Sequence, residues 1–504
     1  MKKKDLYLCF LLFFIGIVSR LPILEKIQSH WDGPQYSIAL IKYSLEQQTP
    51  GPPGYPLYIA LGKFLYIFFK DPHFAILLVS VLAAALGSVI LYLVGKNMYG
   101  RAVGITSSVI FLTGSPFYYF GLTPYAYLII PVMTTLLAYV TYLIFIKKRK
   151  IGILFGLVFG IFFGIRPQEI LQTFGLVLLA YFYLPKKEMV KSISVFSLVT
   201  LLWLIPLLYS TGVFNYFKLS LEFFKVSITH QSLFQRIELM VKGFLLSFGL
   251  SSFAMLYYLW KLYKGKLKKI IKNGKFIILY SAWILPSFAY NFILRTEHAG
   301  YQMSYLAGFL MLISYVIWKI TAKSKIKFSL VILSVAIFNL YWFFYDRDPR
   351  YVKPYRPTSF HYSDIRKNDL KTGSKINFII SQLSPEKTLV ITNSVLWRPY
   401  TYHLKDYQVT SLDGLVDNHP KFFYSERDSK NWHMKTFENR NLSLDIPNNI
   451  SYVVLPDDEN YQWITDYPYR VFELPGNSRV AVLTVNPGDK LIYKFHFLSI
   501  VRNN

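Results

Sequence analysis

Apolar runs of 15 to 25 residues, parted by short polar breaks, fill the first 345 positions, and the pattern then changes. A bilayer crossing takes about 20 largely apolar residues in a helix. On that ruler eleven runs predict spanning helices: 6–23, 74–95, 103–120, 125–146, 151–165, 169–184, 190–210, 236–260, 276–294, 302–320 and 327–345. Two other stretches mix aromatic residues with charges. Leu57 to Phe69 carries Lys63 and is followed by Lys70; 211–235 sets Phe214, Tyr216, Phe217, Leu221, Phe223 and Phe224 among Lys218, Glu222 and Lys225. Both predict amphipathic helices lying in the plane of the interface. After Tyr345 a polar, proline-bearing linker runs to about Pro357. Short β-type runs follow at 388–392, 451–455 and 479–485, with a helical stretch at 361–382. Strands with intervening helices predict a small α/β domain. The expected fold is therefore a polytopic α-helical membrane domain over 1–345, with a long loop at 24–73, and an α/β domain over 346–504.

Composition agrees with a membrane protein: 53% of residues are hydrophobic, 18% aromatic and only 16% charged. The net charge of +27 invites a nucleic-acid reading, and its distribution argues against one. Residues 1–345 hold 34 Lys and Arg against 10 Asp and Glu, whereas 346–504 hold 21 against 18. The excess falls in clusters between apolar runs, where Lys and Arg set orientation. With the Lys2-Lys3-Lys4 end inside, the inner connections hold 23 Lys and Arg and the outer ones 10. The N-terminus is then cytoplasmic, and an odd number of spans places 346–504 outside. The first apolar run has no small-residue cleavage site after it, so it reads as an uncleaved helix rather than a signal peptide. Cys9 is the single cysteine and lies in that run, which excludes an internal disulfide and a cysteine-rich metal site.

The candidate chemistry gathers on the outer side. His30-Trp31-Asp32-Gly33-Pro34-Gln35-Tyr36 follows the first span. A carboxylate there, partly screened from water, can serve as a general base or hold a divalent cation. The same residue also suits a helix N-terminus, because Pro34 favours the first turn; the two roles are compatible. Pro50-Gly51-Pro52-Pro53-Gly54-Tyr55-Pro56 cannot be helical and forms a stiff turn whose Tyr55 would wall a cavity above Asp32. Arg166, beside Pro167, Gln168 and Glu169, sits between two spans; a boundary arginine points to function, against the alternative of snorkelling to headgroups. Arg295, Glu297 and His298 share a short turn. The cation and imidazole suit a phosphate and Glu297 could join Asp32 on a metal, against the alternative of a solvated turn. There is no phosphate-binding glycine loop, HExxH or GxSxG pattern. An enzyme built this way takes its activated substrate from the membrane, and a polyprenyl-phosphate-linked sugar fits the apolar surfaces and the cations.

Trp31-Asp32-Gly33-Pro34-Gln35-Tyr36 with Pro52-Pro53-Gly54-Tyr55-Pro56-Leu57-Tyr58 resembles the GT-C glycosyltransferases, within them the group related to protein O-mannosyltransferases and to sugar transferases acting on lipid A. Asn393 to Tyr400 resembles the outer α/β domain of such proteins. The resemblance implies an inverting transfer at the outer face of the plasma membrane, part of cell-envelope glycan biosynthesis. Asp32 would deprotonate the acceptor hydroxyl or help hold a metal. Arg166, Arg295 and His298, with His30 and Tyr55, would bind the lipid-phosphate sugar donor. The acceptor would be a glycolipid, polysaccharide or protein. A divalent cation, Mg or Mn, would sit on Asp32 and Glu297, although Gly33 stands where one common family pattern has a second acidic residue, and this leaves metal use open. The competing readings are a lipid-linked oligosaccharide flippase or transporter, for which inverted repeats are expected, and an oligosaccharide polymerase or ligase.

Overall fold

The computed structural model describes residues 3–29, 32–226, 232–264, 274–294, 299–321, 324–345, 360–393, 397–412, 422–428, 431–437, 441–457, 464, 467–494 and 497–501. Helices α1 (Lys3–Val18), α2 (Asp32–Ile41), α3 (Pro56–Phe69), α4 (Pro72–Tyr99), α5 (Arg101–Thr113), α6 (Ser115–Phe120), α7 (Ile129–Phe145) and α8 (Gly152–Ile165) come first. They are followed by α9 (Glu169–Tyr183), α10 (Lys186–Thr211), α11 (Val213–Val226), α12 (Leu233–Phe248), α13 (Ser252–Tyr263), α14 (Gly274–Leu294), α15 (Met303–Thr321) and α16 (Lys325–Phe344). Among the described residues seven helical stretches are long and apolar enough to cross a membrane: Lys3–Ile23, Pro72–Tyr99, Lys186–Thr211, Leu233–Lys261, Gly274–Leu294, Met303–Thr321 and Lys325–Phe344.

The expected count of eleven is not reached on length. The runs at 125–146, 151–165 and 169–184 give helices of 17, 14 and 15 residues. The run at 103–120 is cut in two at Gly114, whose backbone is extended (ψ 132°), so α5 stops and α6 starts afresh. A Cβ at Gly114 would lie 2.4 Å from the Ser247 carbonyl, so the break is also a point of close packing. Leu57 to Phe69 and most of 211–235 are helical, as α3 and α11.

Contact clustering divides the chain into two compact units. One comprises Met1–Leu24 with Ala39–Ser363, the other Glu25–Ile38 with Asp364–Asn504. This differs from a single cut at 345: the segment that carries Asp32 clusters with the C-terminal domain, and the division falls inside α2.

In the helical unit, close backbone approach replaces the hydrophobic drive that lipid cannot supply. Along α8, glycines recur every fourth residue at 152, 156, 160 and 164. A Cβ at Gly152 or Gly156 would lie 2.0 or 2.2 Å from the carbonyls of Glu188 and Ser192 on α10. Gly16 of α1 rests on Ala85 of α4, and Asp5 near the start of α1 takes Lys96 Nζ at 2.6 Å and the Tyr92 hydroxyl at 2.5 Å from α4. Arg20, 1% exposed, donates Nη2 to the Leu112 carbonyl at 3.0 Å and stacks 4.4 Å over Tyr118.

The second unit is α/β. Helices α17 (Tyr362–Gln382) and α18 (Trp397–His403) accompany strands β1 (Thr388–Asn393), β2 (Gln408–Leu412), β3 (Phe422–Asp428), β4 (Asn431–Phe437), β5 (Asn441–Asp445), β6 (Tyr452–Leu455), β7 (Tyr469–Leu474), β8 (Ser478–Thr484), β9 (Lys490–Lys494) and β10 (Phe497–Val501). The main sheet runs β2-β1-β6-β8-β7, with β1 parallel to β2 and β6, and β8 antiparallel to β6 and β7. The link from β1 to its parallel neighbour β2 carries α18, as a parallel pair requires a crossover. Strand periodicity sorts the core. Val390, Val409, Val454 and Val480 face Ile376 and Ile379 of α17 and Tyr400 of α18. Leu389, Ile391, Val453, Leu455 and Leu483 face the other way, onto Ile446, Tyr467 and Leu491. The runs expected to be strands are β1, β6 and β8, and the stretch at 361–382 is α17.

Candidate active site

Asp32 stands in the first turn of α2, where a carboxylate meets unsatisfied backbone N–H groups and the positive end of the helix dipole. From Gly33 to Leu40 the helix is buried, and Ile41 at its far end is exposed. Gln35, Tyr36, Ser37, Ile38, Ala39 and Leu40 are each no more than 4% exposed, whereas Asp32 is half-buried and reaches solvent. A packed helix with one accessible acid at its tip holds that acid in a fixed place.

Four successive backbone N–H groups ahead of α2 are taken by side chains. Lys26 and Ile27 donate to the Asp369 carboxylate of α17, at 3.1 and 2.9 Å. Gln28 donates to His403 Nε2 at the end of α18, at 3.1 Å, and Ser29 donates to Glu25 Oε1, at 3.1 Å. His403 is thereby an acceptor at Nε2, which requires the neutral ring. The Gln28 side chain donates Nε2 to Ser37 Oγ of α2 at 2.6 Å, tying this segment to the helix that carries Asp32. Burial holds the Asp369 carboxyl up at about 6, against the opposing pull of the Ile27 and Lys26 N–H groups. Burial, and then the neighbouring Asp369 charge, push Glu25 well above the usual carboxylate range.

In the helical unit, Tyr55 caps α3 in the left-handed region (φ 49°), directly after Gly54 (φ 108°). A non-glycine residue there is strained and needs its surroundings to hold it. Tyr55 is 8% exposed, and its hydroxyl accepts Gln168 Nε2 at 3.1 Å. The Tyr43 hydroxyl donates to the Gly54 carbonyl at 2.8 Å, and burial pushes the Tyr43 phenol up.

Gln168 leads into the second cluster. Arg166, 1% exposed, ends α8 and lies 3.3 Å, Nε to Oε1, from Glu169 at the start of α9. Its guanidinium stacks on Tyr127 at 4.5 Å and faces Tyr301 at 5.7 Å. Glu169 also accepts Gln172 Nε2 at 3.0 Å and the hydroxyl of Ser304 from α15. Gln172 Oε1 in turn accepts Ser287 Oγ and Asn291 Nδ2 of α14, both at 2.9 Å. A buried arginine so enclosed is not snorkelling; it anchors a polar network that joins α9, α14 and α15.

Of the residues singled out in the sequence, Tyr55 and Arg166 therefore meet through Gln168. Asp32 belongs to the other compact unit. His30, Arg295, Glu297 and His298 lie outside the described residues. Among the described residues no three of His, Cys, Asp and Glu come together as metal ligands. Sequence reasoning missed Glu25, Asp369 and His403, which carry no local signal. It also passed over Ser287 and Asn291, whose spacing of four on an apolar helix does give one.

Residues 50–209 match the family model of the dolichyl-phosphate-mannose-protein mannosyltransferases. A comparison with curated proteins returns no match. Among solved structures, ArnT from Cupriavidus metallidurans bound to undecaprenyl phosphate superposes with a TM-score of 0.61 at 10% identity, over 95% of this chain and 97% of that one. The apo form of the same protein gives 0.58 at 12% identity, over the same shares. The chain has the GT-C glycosyltransferase fold. The GT-C likeness takes in both compact units, since it covers nearly the whole of each chain. The family match begins at the proline-rich turn before Tyr55 and ends in α10, so it includes Tyr55 and Arg166 and starts downstream of Asp32.

Proposed function

We propose that this chain is an integral membrane glycosyltransferase that moves a sugar from a polyprenyl-phosphate-linked donor to a glycolipid, polysaccharide or protein. Its reaction would take place at the extracytoplasmic face of the plasma membrane, with the N-terminus cytoplasmic. The observation that carries this reading is the full-length GT-C fold, shared with a protein solved with undecaprenyl phosphate bound. The half-buried acid at the tip of a packed helix supports it.

In this reading Asp32 is the base. It takes the proton of the acceptor hydroxyl as the oxygen attacks the anomeric carbon, the bond to the phosphate oxygen breaks, and the lipid phosphate leaves with inversion at the sugar. Charge accumulates on the leaving phosphate, and cations in a site shielded from water stabilise it most. The positive charge of Arg166 is already matched by Glu169, so Arg295 and His298 take that role and Arg166 shapes the site. Tyr55 and His30 contact the donor. Glu297, the second carboxylate expected to hold Mg or Mn with Asp32, lies outside the described residues; a divalent cation held by the two would add positive charge facing the leaving phosphate.

The test is mass analysis of glycolipids and surface glycans from cells with the protein, without it, and with Asp32→Asn or Asp32→Ala. One glycan mass should vanish without the protein and in both variants, a loss of about 100-fold or more for a missing base. Identical glycans with and without the protein would overturn the reading. Normal product from Asp32→Asn would overturn the assignment of the base.

A further inference from the structure

The segment from Glu25 to Ser29 has no regular structure of its own that could satisfy its backbone. The N–H groups of Lys26, Ile27, Gln28 and Ser29 end instead on Asp369, His403 and Glu25. Two of these acceptors belong to α17 and α18, more than 340 residues along the chain. The Ile27 side chain adds packing. It joins the apolar cluster of Ile376, Ile379 and Val390, and it fits because position 373 is glycine, where a Cβ would come within 3.2 Å of Ile27 Cγ1. From this fastened segment the Gln28 side chain reaches Ser37 of α2, fully buried.

We infer that Asp369 and His403 are positioning residues for Asp32: by holding the N–H groups of residues 26–28 they fix, through Gln28 and Ser37, the helix on whose tip the acid stands. This inference rests on the reading of Asp32 as the base. Neither residue needs to touch substrate. Their work is to accept hydrogen bonds, and a neutral acceptor of the same shape should do it too. Asparagine at 369 keeps one oxygen for both N–H groups, and glutamine at 403 puts a carbonyl oxygen near the place of Nε2. Leucine at either position keeps bulk and removes the acceptor.

The experiment uses the full chain in lipid nanodiscs and in cells. Hydrogen exchange of the peptide spanning 24–38 is read by mass spectrometry, and the glycan product is read from cells expressing each variant. Asp369→Leu and His403→Leu should speed exchange at residues 26–28 by about 10-fold or more, because those amides lose their acceptors. Product should fall by about 10- to 100-fold, the range set by displacing a catalytic group by about 1 Å. Asp369→Asn and His403→Gln should restore both readouts to within about threefold of the natural chain. A purely structural role would lower the thermal midpoint and the amount of protein without separating the leucine from the amide variants in product per molecule. Unchanged exchange in Asp369→Leu overturns the clamp. Faster exchange with undiminished product, in cells where Asp32→Asn makes none, overturns the positioning role. Product from Asp32→Asn would instead overturn the base assignment and leave the exchange result to judge the clamp. If Asp369→Leu does not accumulate, His403→Leu with its glutamine counterpart decides the same question.

Discussion

Arg166 and Glu169 form an ion pair, Nε to Oε1 at 3.3 Å, with 2% and 1% of their side chains exposed. Breaking a buried pair by removing one partner leaves a charge without compensation, which costs more than the pair contributes. Glu169→Leu and Arg166→Leu should each destabilise the protein by about 3–5 kcal/mol. The double variant should lose less than the sum, and thermal unfolding of all four proteins in one detergent closes the cycle. Additive losses would show that the two charges do not depend on one another.

Gln172 joins α9 to α14, since its carbonyl oxygen accepts from Ser287 and Asn291 while its amide donates to Glu169. Gln172→Leu deletes one acceptor and one donor at once and leaves buried polar groups to pay desolvation, about 1–3 kcal/mol. Gln172→Glu retains the acceptor but brings a second carboxylate to Glu169, so it should be the worse of the two at neutral pH and improve on acidification. Ranking the two thermal midpoints at pH 5 and pH 8 checks this.

Gly156 of α8 faces the Ser192 carbonyl so closely that a Cβ would sit 2.2 Å away. The obstacle is backbone and cannot swing aside. Gly156→Ala should cost about 1–3 kcal/mol, and Gly156→Leu should push α8 and α10 apart and reduce folded yield sharply. Gly100→Ala is the control for added bulk, because no atom lies within 4 Å of its Cβ position and only its positive φ (108°) is penalised.

Asp369 gives a pH dependence whose sign is fixed by its burial. Its folded-state value of about 6 lies above its ordinary 3.8, so the folded chain takes up the proton first. The cost of the buried charge is absent below the lower value and is fully present above the higher one. Asp369→Asn escapes this cost. Its unfolding free energy should exceed that of the natural chain above about pH 6, by an amount on the order of 1–3 kcal/mol seen as a raised thermal midpoint, and the gap should close as pH falls toward 4. Lys26 and Glu25 are the charged neighbours of the group, and Glu25 titrates with the same sign. A gap that widens on acidification would show that the carboxylate is stabilised by its partners rather than penalised by burial.

Local pattern carried much of this architecture. Hydropathy located the apolar helical stretches, because an apolar run in lipid has no other way to satisfy its backbone, but it merged α5 with α6 and α12 with α13. The β-type runs at 388–392, 451–455 and 479–485 are β1, β6 and β8. What stayed hidden was set by distant contacts. Pro116, in the first turn of α6, is a local sign of a fresh helix start that the hydropathy reading passed over; the close approach of Ser247 to Gly114 could not be read from the sequence. Arg166 was visible as a charge at a boundary, but its enclosure by Tyr127 and Tyr301 depends on residues 39 and 135 positions away in the chain. Glu25 to Ile38 reads as a loop between two membrane helices, and its membership of the α/β unit rests on hydrogen bonds to Asp369 and His403 that no sequence spacing announces.

The fastening of Lys26 to Asp369 also sets an order of events at the ribosome. The two are 343 residues apart. At ordinary elongation rates of about 5–20 residues per second, roughly 20–70 s separate the making of the donor from that of its acceptor. Throughout that interval the membrane helices are already emerging, while the segment ahead of Asp32 still lacks the groups that shape it. The segment thus takes its shape only after the last apolar helix, α16, has been made, and a chain cut short before Asp369 would lack the acceptor for Lys26 and Ile27.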